Sequence, residues 1–288
     1  MDGIIIINKE KGWTSNDVVQ KVKHIFNEKV GHIGTLDPLA TGVLPLLIGK
    51  GTLLSKYLIN HDKQYVATMK LGFKTTTGDS QGDVIEEKNV TNEMLKEENV
   101  TNLLKSFKGK QSQIPPMYSA IKINGKKLYE YARKGQTIEV KPREVEIYDI
   151  KLISISKEIQ EIVYKVSCSK GTYIRTLCED IAERLGTVGH MVNLERTKVG
   201  EFTIEQSLKI SEIKNEQAFL EEHVTTIENF FDDKDKIVLH DNKIKQFLNG
   251  VRVYSEKENN IYRIYDKTLN FIGSGIVDNN KLKRDICI

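Results

Sequence analysis

Residues 31–52, GHIGTLDPLATGVLPLLIGKGT, differ in composition from the rest of the chain, and they constrain the fold more than any other stretch. They include five glycines, two of the five prolines of the chain and only two formal charges, Asp37 and Lys50. Because 29% of the whole chain is charged, a stretch of this length would ordinarily hold about six charges. So many glycines among apolar residues exclude one regular element. They predict a backbone that turns repeatedly and approaches another part of the molecule closely.

Asp37 is the only acid in this stretch. Pro38 biases the preceding residue away from helical geometry and has no N–H group of its own. An isolated carboxylate on a stiff loop, between Leu36 and Leu39, suits nucleophilic or acid–base chemistry. An ordinary Asp-Pro turn explains the same residues, so the spacing alone leaves both interpretations open.

Two common kinds of site do not fit the spacing. A phosphate-binding P-loop has four residues between its first glycine and a Gly-Lys pair, which Ser or Thr follows. Here six residues separate Gly42 from Gly49, and Gly51 follows the lysine. His32 has no second ligand at metal-binding spacing, so no metal site is predicted.

Regular elements are predicted on both sides of this stretch. Ile4–Ile7 is typical of a short buried strand, and a helix is predicted to begin near Ser15. Residues 64–73 alternate like a half-buried strand, residues 75–84 are rich in turn-forming types, and a helix is predicted around 91–108.

A strand, a tight turn and a helix are predicted over residues 161–186. The strand covers 161–169, the turn contains Lys170 and Gly171, and the helix ends at Gly186. Arg175 lies early in that helix beside an apolar residue, where a cation could face a buried carboxylate. A surface arginine in the first turn is the alternative.

Positive charge is concentrated in one segment. The chain has 43 Lys and Arg against 40 Asp and Glu, a net charge of +3 that does not by itself indicate a nucleic-acid partner. Residues 117–143, however, hold seven basic residues against two acidic ones, with Tyr118, Tyr129 and Tyr131 interleaved. Cations beside stacking faces are typical of RNA binding, and a solvated basic surface is the alternative.

The composition also bounds the domain organisation. A chain of 288 residues can bury a large core, and the acidic, weakly patterned residues 212–235 predict a boundary between domains 1–231 and 236–288. Short strand-like segments in the second part predict a small barrel or sandwich. Three cysteines without paired spacing exclude a disulfide scaffold, and no apolar run approaches the length of a membrane span. We therefore expect a soluble, cytoplasmic protein.

Four separated motifs resemble those of the bacterial TruB family of tRNA pseudouridine synthases, which isomerise a uridine in the T loop of tRNA. In chain order they are GHIGTLDPLATGVLPLLIG, KQYVATMKLG, IPPMYSAIKINGKKLYEYARKG and CSKGTYIRTLCEDIAERLG. The resemblance extends from about Gly3 to about Thr197. It makes the Asp-Pro turn a remote interpretation of residue 37.

The resemblance implies an α+β fold. It has a catalytic domain with a central, mostly antiparallel sheet flanked by helices, a basic thumb insertion at about 117–143, and a small C-terminal β-barrel-like (PUA-like) RNA-binding domain. It implies conversion of uridine 55 of tRNA by base flipping, aspartate-dependent glycosidic cleavage, base rotation and carbon–carbon reattachment. It also implies no cofactor, the tRNA T arm as partner, no required protein partner and a monomer. The thumb argues against relatives that depend on a guide RNA.

The resemblance also assigns roles to residues of this chain. Asp37 matches the catalytic aspartate, Tyr65 the aromatic side chain that packs on the target base, and Arg175 the partner of the aspartate. His32, Tyr173 and Leu194 match substrate-binding positions. The implied RNA-binding residues of the thumb are Lys122, Lys126, Lys127, Arg133 and Lys134. The sequence leaves open whether the aspartate attacks the ribose, adds to the pyrimidine ring or acts through a glycal.

The chain departs from the family pattern at three positions. Glu10, Leu53 and Thr76 stand where the family often has Pro, Lys and Asp, so the anchoring of RNA or of loops there is expected to differ. Two rival functions remain: a tRNA-binding or chaperone-like module without essential chemistry, and an aspartate-dependent enzyme that acts on a small molecule. The second leaves the basic, tyrosine-rich segment unexplained.

Overall fold

The computed structural model describes residues 1–213 and 216–288. The chain begins with the strand β1 (Gly3–Lys9), the helix α1 (Ser15–Phe26) and the strands β2 (Val30–His32) and β3 (Thr41–Ile48). The elements up to the thumb are a 3₁₀ helix (Gly49–Leu54), α2 (Ser55–Leu58), β4 (Lys63–Leu71), β5 (Phe73–Thr75), β6 (Val84–Glu87), α3 (Glu97–Lys105) and β7 (Gly109–Gln113).

The middle of the chain carries the thumb and the second half of the main sheet. Its elements are β8 (Lys122–Ile123), β9 (Lys126–Lys127), α4 (Leu128–Ala132), β10 (Arg143–Ser156), β11 (Glu161–Cys168), α5 (Ile174–Arg184), β12 (Gly189–Val199), β13 (Phe202–Thr203), a 3₁₀ helix (Ile204–Gln206), β14 (Leu208–Lys209) and a 3₁₀ helix (Ile210–Glu212). The last elements are α6 (Gln217–Glu221), β15 (Thr225–Thr226), α7 (Ile227–Phe230), β16 (Lys236–Val238), α8 (Asp241–Leu248), β17 (Val253–Tyr254), β18 (Asn260–Tyr265), β19 (Phe271–Asp278) and β20 (Lys281–Cys287).

An eleven-stranded sheet forms the centre of the molecule, in the order β14-β1-β3-β12-β4-β11-β10-β7, with β2, β13 and β15 pairing at its side. Most neighbours are antiparallel, but β12 runs parallel to β3 and β14 runs parallel to β1. The predicted α+β fold with a mostly antiparallel central sheet is therefore confirmed. Strand β12, which comes late in the chain, lies between two early strands, β3 and β4.

The two faces of this sheet are covered by different parts of the chain. Alternate residues of β1 point to opposite faces, as strand geometry requires. Ile5 and Ile7 belong to the core that contains the apolar sides of α1 and α5, whereas Ile4 and Ile6 belong to a second core. That second core also contains Ile286 of β20, so the C-terminal strands pack on the main sheet.

The C-terminal elements form a five-stranded sheet in the order β16-β18-β19-β20-β17, with α8 packed against it through Phe247. The predicted small β structure is confirmed. Asp285 of β20 joins it to the main part: its carboxylate accepts hydrogen bonds from the Tyr57 hydroxyl at 2.5 Å and the Ser274 hydroxyl at 2.9 Å, and it pairs with Lys56. The division of the chain into domains at residues 231 and 236 stays a prediction.

Some local predictions were wrong. The helix predicted around 91–108 is only α3, because Lys96 is extended and Gly109 has a φ of 101°, which ends the following turn. The segment 212–235 is not a bare boundary. It contains α6, β15 and α7, whose Leu220, Ile227 and Phe231 are buried, since a few apolar side chains anchor an otherwise acidic segment. Every helix in the described part of the chain is too short or too polar to cross a membrane.

Candidate active site

Asp37 lies in the loop between β2 and β3, and its two chain neighbours are held by hydrogen bonds. On one side, the buried Ser15 hydroxyl accepts a bond from the Leu36 N–H at 2.8 Å and donates to the Leu36 carbonyl at 3.0 Å. On the other side, the Gly12 N–H donates to the Pro38 carbonyl at 2.8 Å. The strand-to-helix turn at residues 10–15 therefore fixes the backbone that carries the aspartate.

Lys9 strengthens the same support. Its side chain is buried, and its ammonium donates to the carbonyls of Trp13 at 2.7 Å, Glu10 at 3.1 Å and Pro38 at 3.4 Å. Burial lowers the pKa of Lys9 to about 8, although the negative charge of Asp37 acts in the opposite direction. The Glu10 departure leaves this arrangement intact, since the lysine binds only its carbonyl.

Arg175 pairs with Asp37, and the distance between Nε and Oδ2 is 3.0 Å. Its side chain is 5% exposed whereas that of Asp37 is 36% exposed, so the arginine forms the wall and the carboxylate faces the open side. The other guanidinium nitrogens donate to the Thr77 carbonyl at 3.0 Å and the Tyr118 carbonyl at 2.8 Å. The alternative of a surface arginine is wrong, because α5 packs this side chain against the sheet.

A second carboxylate, that of Asp79, lies behind the arginine and was missed from the sequence. Its side chain is 7% exposed, and its Oδ2 is 4.0 Å from Arg175 Nε. Its Oδ1 accepts bonds from the Thr77 hydroxyl at 2.6 Å and the Gln81 N–H at 3.0 Å. Nothing in the spacing of the turn-rich residues 75–84 connects this acid to Asp37.

Burial raises the pKa of Asp37, and the negative charge of Asp79 adds to that effect. The positive charges of Arg175 and Lys9 lower the pKa but do not cancel the burial. The result is a carboxyl group that binds its proton more tightly than an exposed aspartate does.

Three predicted residues form the wall beside Asp37. Tyr65 of β4 is buried, and across the sheet it is the register partner of Arg196, while Leu194 is the partner of Ala67. Because residues two apart on a strand share a face, Tyr65 and Leu194 lie on one surface. Burial raises the pKa of Tyr65 and of Tyr173, and the charge of Asp37 contributes to both shifts.

Tyr173 immediately precedes α5 and is held by a side chain that was also missed from the sequence. The Tyr173 N–H donates to Gln113 Oε1 at 2.7 Å, and Gln113 Nε2 donates to the Tyr173 carbonyl at 3.0 Å. Gln113 is itself buried at the end of β7. This double bond pattern joins the base of the thumb to the start of the helix that carries Arg175.

His32 ends β2, opposite Leu46 of β3. Burial lowers its pKa, as does the positive charge of Arg196, and its Nδ1 is buried without a hydrogen-bond partner. The structure therefore relates His32 to this wall through Arg196.

The thumb is a two-stranded hairpin, β8–β9, followed by α4. Its turn, Asn124-Gly125, has φ values of 50° and 80°, the left-handed conformation that suits these residues in a tight hairpin. Lys127 and Arg133 lie over the Tyr129 ring, at 5.3 and 5.2 Å from its centre. The other predicted thumb cations, Lys122, Lys126, Arg133 and Lys134, are exposed, and Lys127 is half-buried.

The other departures from the family pattern lie on the surface. Leu53 is 47% exposed in the 3₁₀ helix after β3. Thr76 is exposed, and its hydroxyl accepts a bond from the Asp83 N–H at 3.2 Å, so the loop that carries Asp79 keeps a polar anchor.

Comparison with known proteins places this arrangement. Residues 23–174 match the TruB family pseudouridylate synthase (N terminal domain), and residues 175–241 match the tRNA pseudouridylate synthase B C-terminal domain. A protein of Clostridium kluyveri named tRNA pseudouridine synthase B is 41% identical over 283 residues, 96% of each chain. One of the same name from Francisella philomiragia is 42% identical over 287 residues, 98% of this chain and 93% of the other.

Solved structures share the fold. A chain in the crystal structure of a Cbf5-Nop10-Gar1 complex matches with a TM-score of 0.64 and 25% identity, over 96% of this chain and 78% of that one. A chain in the structure of an H/ACA RNP bound to a substrate RNA containing 2'-deoxyuridine matches with a TM-score of 0.66 and 23% identity, over 99% and 83%. The fold and the matches define an enzyme of the pseudouridylate synthase class. Within that class, the chain belongs to the TruB family.

Proposed function

We propose that this enzyme isomerises uridine 55 in the T loop of tRNA to pseudouridine, with Asp37 as the catalytic aspartate. The observation that carries the proposal is the ion pair between the half-exposed Asp37 and the buried Arg175, beside a wall that contains Tyr65 and Leu194. The relatives named tRNA pseudouridine synthase B support tRNA as the substrate.

The reaction breaks the bond between the ribose carbon and a ring nitrogen and forms one to a ring carbon. A proton leaves that carbon and another is gained by the nitrogen, so no net group transfer or redox change occurs. The base must leave its stack, be held while detached, and be rejoined without escaping. The apolar wall beside Asp37 suits this step because it shields the detached base from water.

Each side chain has a proposed part. Asp37 takes a proton or forms a bond to the substrate, through ribose attack, ring addition or a glycal route. Arg175 stabilises and orients the carboxylate, since it is held by two carbonyls besides the ion pair. Tyr65 and Leu194 enclose the flipped base, and Tyr173 and His32 complete the substrate pocket.

The thumb is proposed to bind the RNA. Its exposed cations and the Tyr129 ring present phosphate partners beside an aromatic face, and Arg175 links the thumb base at Tyr118 to Asp37. The C-terminal sheet is proposed to add RNA contacts. The predicted monomeric state, independence from protein partners and cytoplasmic location stay predictions.

The experiment that tests the proposal uses unmodified tRNA transcript and purified protein without any added cofactor. Pseudouridine is mapped at single-nucleotide resolution after incubation with the wild type and with Asp37→Asn. We expect conversion at position 55 only, and only with the wild type. Conversion by Asp37→Asn would remove the aspartate from the chemistry. If the wild type binds tRNA but forms no pseudouridine, the chain acts as a tRNA-binding module instead.

A further inference from the structure

Arg196 of β12 is the most unusual charged residue near the site. It is 1% exposed, so its guanidinium lies completely inside the protein. Within residues 1–213 and 216–288, no ion pair of this guanidinium with a carboxylate is found, and the only titratable group that favours its charged form is the Tyr65 phenol. An arginine buried without a carboxylate is costly, because its charge loses the hydration it has in water.

Backbone carbonyls hold the guanidinium in one place. Nε donates to the Val43 carbonyl at 2.8 Å, and Nη2 donates to the Gly34 carbonyl at 2.9 Å. Arg196 also forms a side-chain hydrogen bond with Tyr65, its register partner on the neighbouring strand β4. The guanidinium therefore joins β3, the loop that carries Asp37, and the tyrosine assigned to the flipped base.

Two of the glycines in residues 31–52 make room for this arrangement. Gly42 has a φ of 103°, and a Cβ built there would lie 2.2 Å from the Arg196 carbonyl oxygen. Gly34 has a φ of 77°, and a Cβ there would lie 3.2 Å from Arg196 Nη1. The close backbone approach that the glycine-rich sequence predicts is, at these two positions, an approach to Arg196.

The direction of the bond to Tyr65 follows from the chemistry of the two groups. A guanidinium has N–H donors and no acceptor, so in this bond the tyrosine oxygen accepts. The hydroxyl proton must then point away from Arg196. Because Asp37 raises the pKa of Tyr65, its negative charge acts on the same phenol from the site.

We propose that Arg196 is a positioning residue that fixes the Tyr65 hydroxyl as a hydrogen-bond donor directed into the substrate pocket. The Val43 and Gly34 carbonyls hold the guanidinium still, and the guanidinium occupies the acceptor side of the phenol. Without it, the hydroxyl rotates freely and reaches the substrate in the required orientation for only part of the time. This inference rests on the proposed function and extends it to a residue that does not touch the flipped base.

A double-mutant cycle with Arg196→Met and Tyr65→Phe tests the inference. Single-turnover rates of pseudouridine formation at saturating tRNA are measured for the wild type, both single variants and the double variant, together with the tRNA Kd and Tm of each. We expect Arg196→Met to lower the rate about 100-fold with Kd within about threefold. In the Tyr65→Phe background the same substitution should change the rate less than about threefold, because the hydroxyl that it orients is absent.

Lys198→Met is the matched control, since Lys198 is an exposed cation two residues further along β12. It should leave the rate unchanged. If Arg196→Met does not fold, Arg196→Lys replaces it in the cycle, because lysine keeps the charge but lacks the rigid fork of donors. If no substitution of Arg196 folds, the residue is structural and the inference is overturned.

The remaining outcomes separate the two proposals. An active wild type whose two substitutions lower the rate additively overturns the role of Arg196 and leaves the proposed function intact. A substitution that raises the tRNA Kd in parallel with the loss of rate also overturns it, because it shows a general disturbance of the site. A wild type that forms no pseudouridine overturns the proposed function, and the inference about Arg196 falls with it.

Discussion

The wall around Asp37 and the thumb belong to one proposed site, yet they are built in opposite ways. In the wall, Arg175 is 5% exposed and binds a carboxylate and two carbonyls, and the Asp37 loop is gripped on both sides by residues 12 and 15. In the thumb, a two-residue hairpin and one short helix present exposed cations. Fixed groups suit chemistry that needs exact orientation, whereas mobile cations suit a flexible, negatively charged partner.

This contrast makes a general expectation. Substitutions in the wall should lower the rate of the chemical step with little effect on affinity. Substitutions in the thumb should weaken tRNA binding with little effect on the rate at saturating tRNA. A variant that moves both quantities together breaks the distinction.

The largest effect is expected for Asp37→Asn. We expect the single-turnover rate to fall by at least about 1000-fold, with the tRNA Kd within a few-fold of the wild type. The raised pKa means that the folded protein binds the Asp37 proton more tightly than the unfolded chain does, so ionised Asp37 lowers stability above that pKa. The Tm of the variant should therefore be unchanged or higher. Asp83→Asn, an exposed acid of the neighbouring loop, is the control and should keep full activity.

The next largest effect is expected for Arg175→Lys. Lysine keeps the positive charge but cannot contact Asp37, the Thr77 carbonyl and the Tyr118 carbonyl together. We expect a loss of about 100-fold in the single-turnover rate and a Kd within about threefold. Arg184→Lys on the same helix keeps its cationic contact with the Phe107 ring and serves as the control. Equal rates for the two variants would show that charge alone is sufficient at position 175.

A smaller effect is expected when Lys126 and Lys127 of the thumb are both replaced by Met. The tRNA Kd should rise about tenfold, and the slope of log affinity against log salt should fall by about two at most, since up to two phosphate contacts are lost. The rate at saturating tRNA should stay the same. Replacement of Lys157 and Lys165, on β11 and the turn before it, controls for net charge. An unchanged salt slope would remove the thumb from the phosphate contacts.

The smallest effect concerns pH. Protonation of Asp37 should stop the reaction, and its raised pKa places the acid side of the rate profile above the ordinary aspartate value of 3.8. Because the charge of Asp79 contributes to that shift, Asp79→Asn should move the midpoint to lower pH. The midpoint is read from single-turnover rates at saturating tRNA. A midpoint that moves upward would show that Asp79 acts on the carboxylate mainly through Arg175.

The sequence predicted those parts of the site that announce themselves locally. Asp37 stands out as the one acid of a glycine-rich stretch, and the apolar stripe of α5 is visible in its spacing. The residues that it did not predict, Ser15, Asp79 and Arg196, have ordinary neighbours. Arg196 lies in the alternating run ERTKVG, which is typical of a half-exposed strand. Only the position of β12 between β3 and β4 buries it, and strand order is not encoded in local periodicity.

The position of β12 also has a consequence for biosynthesis. Arg196 and the Val43 carbonyl that it binds are 153 residues apart in the chain, and β3 and β4 have no direct pairing until β12 enters between them. During translation, both strands leave the ribosome long before their common neighbour, with unpaired edges exposed. The nascent chain must therefore keep the two halves of its catalytic cleft apart and unaggregated until a late strand closes them. Such non-local pairing predicts slow maturation and a need for protection by chaperones.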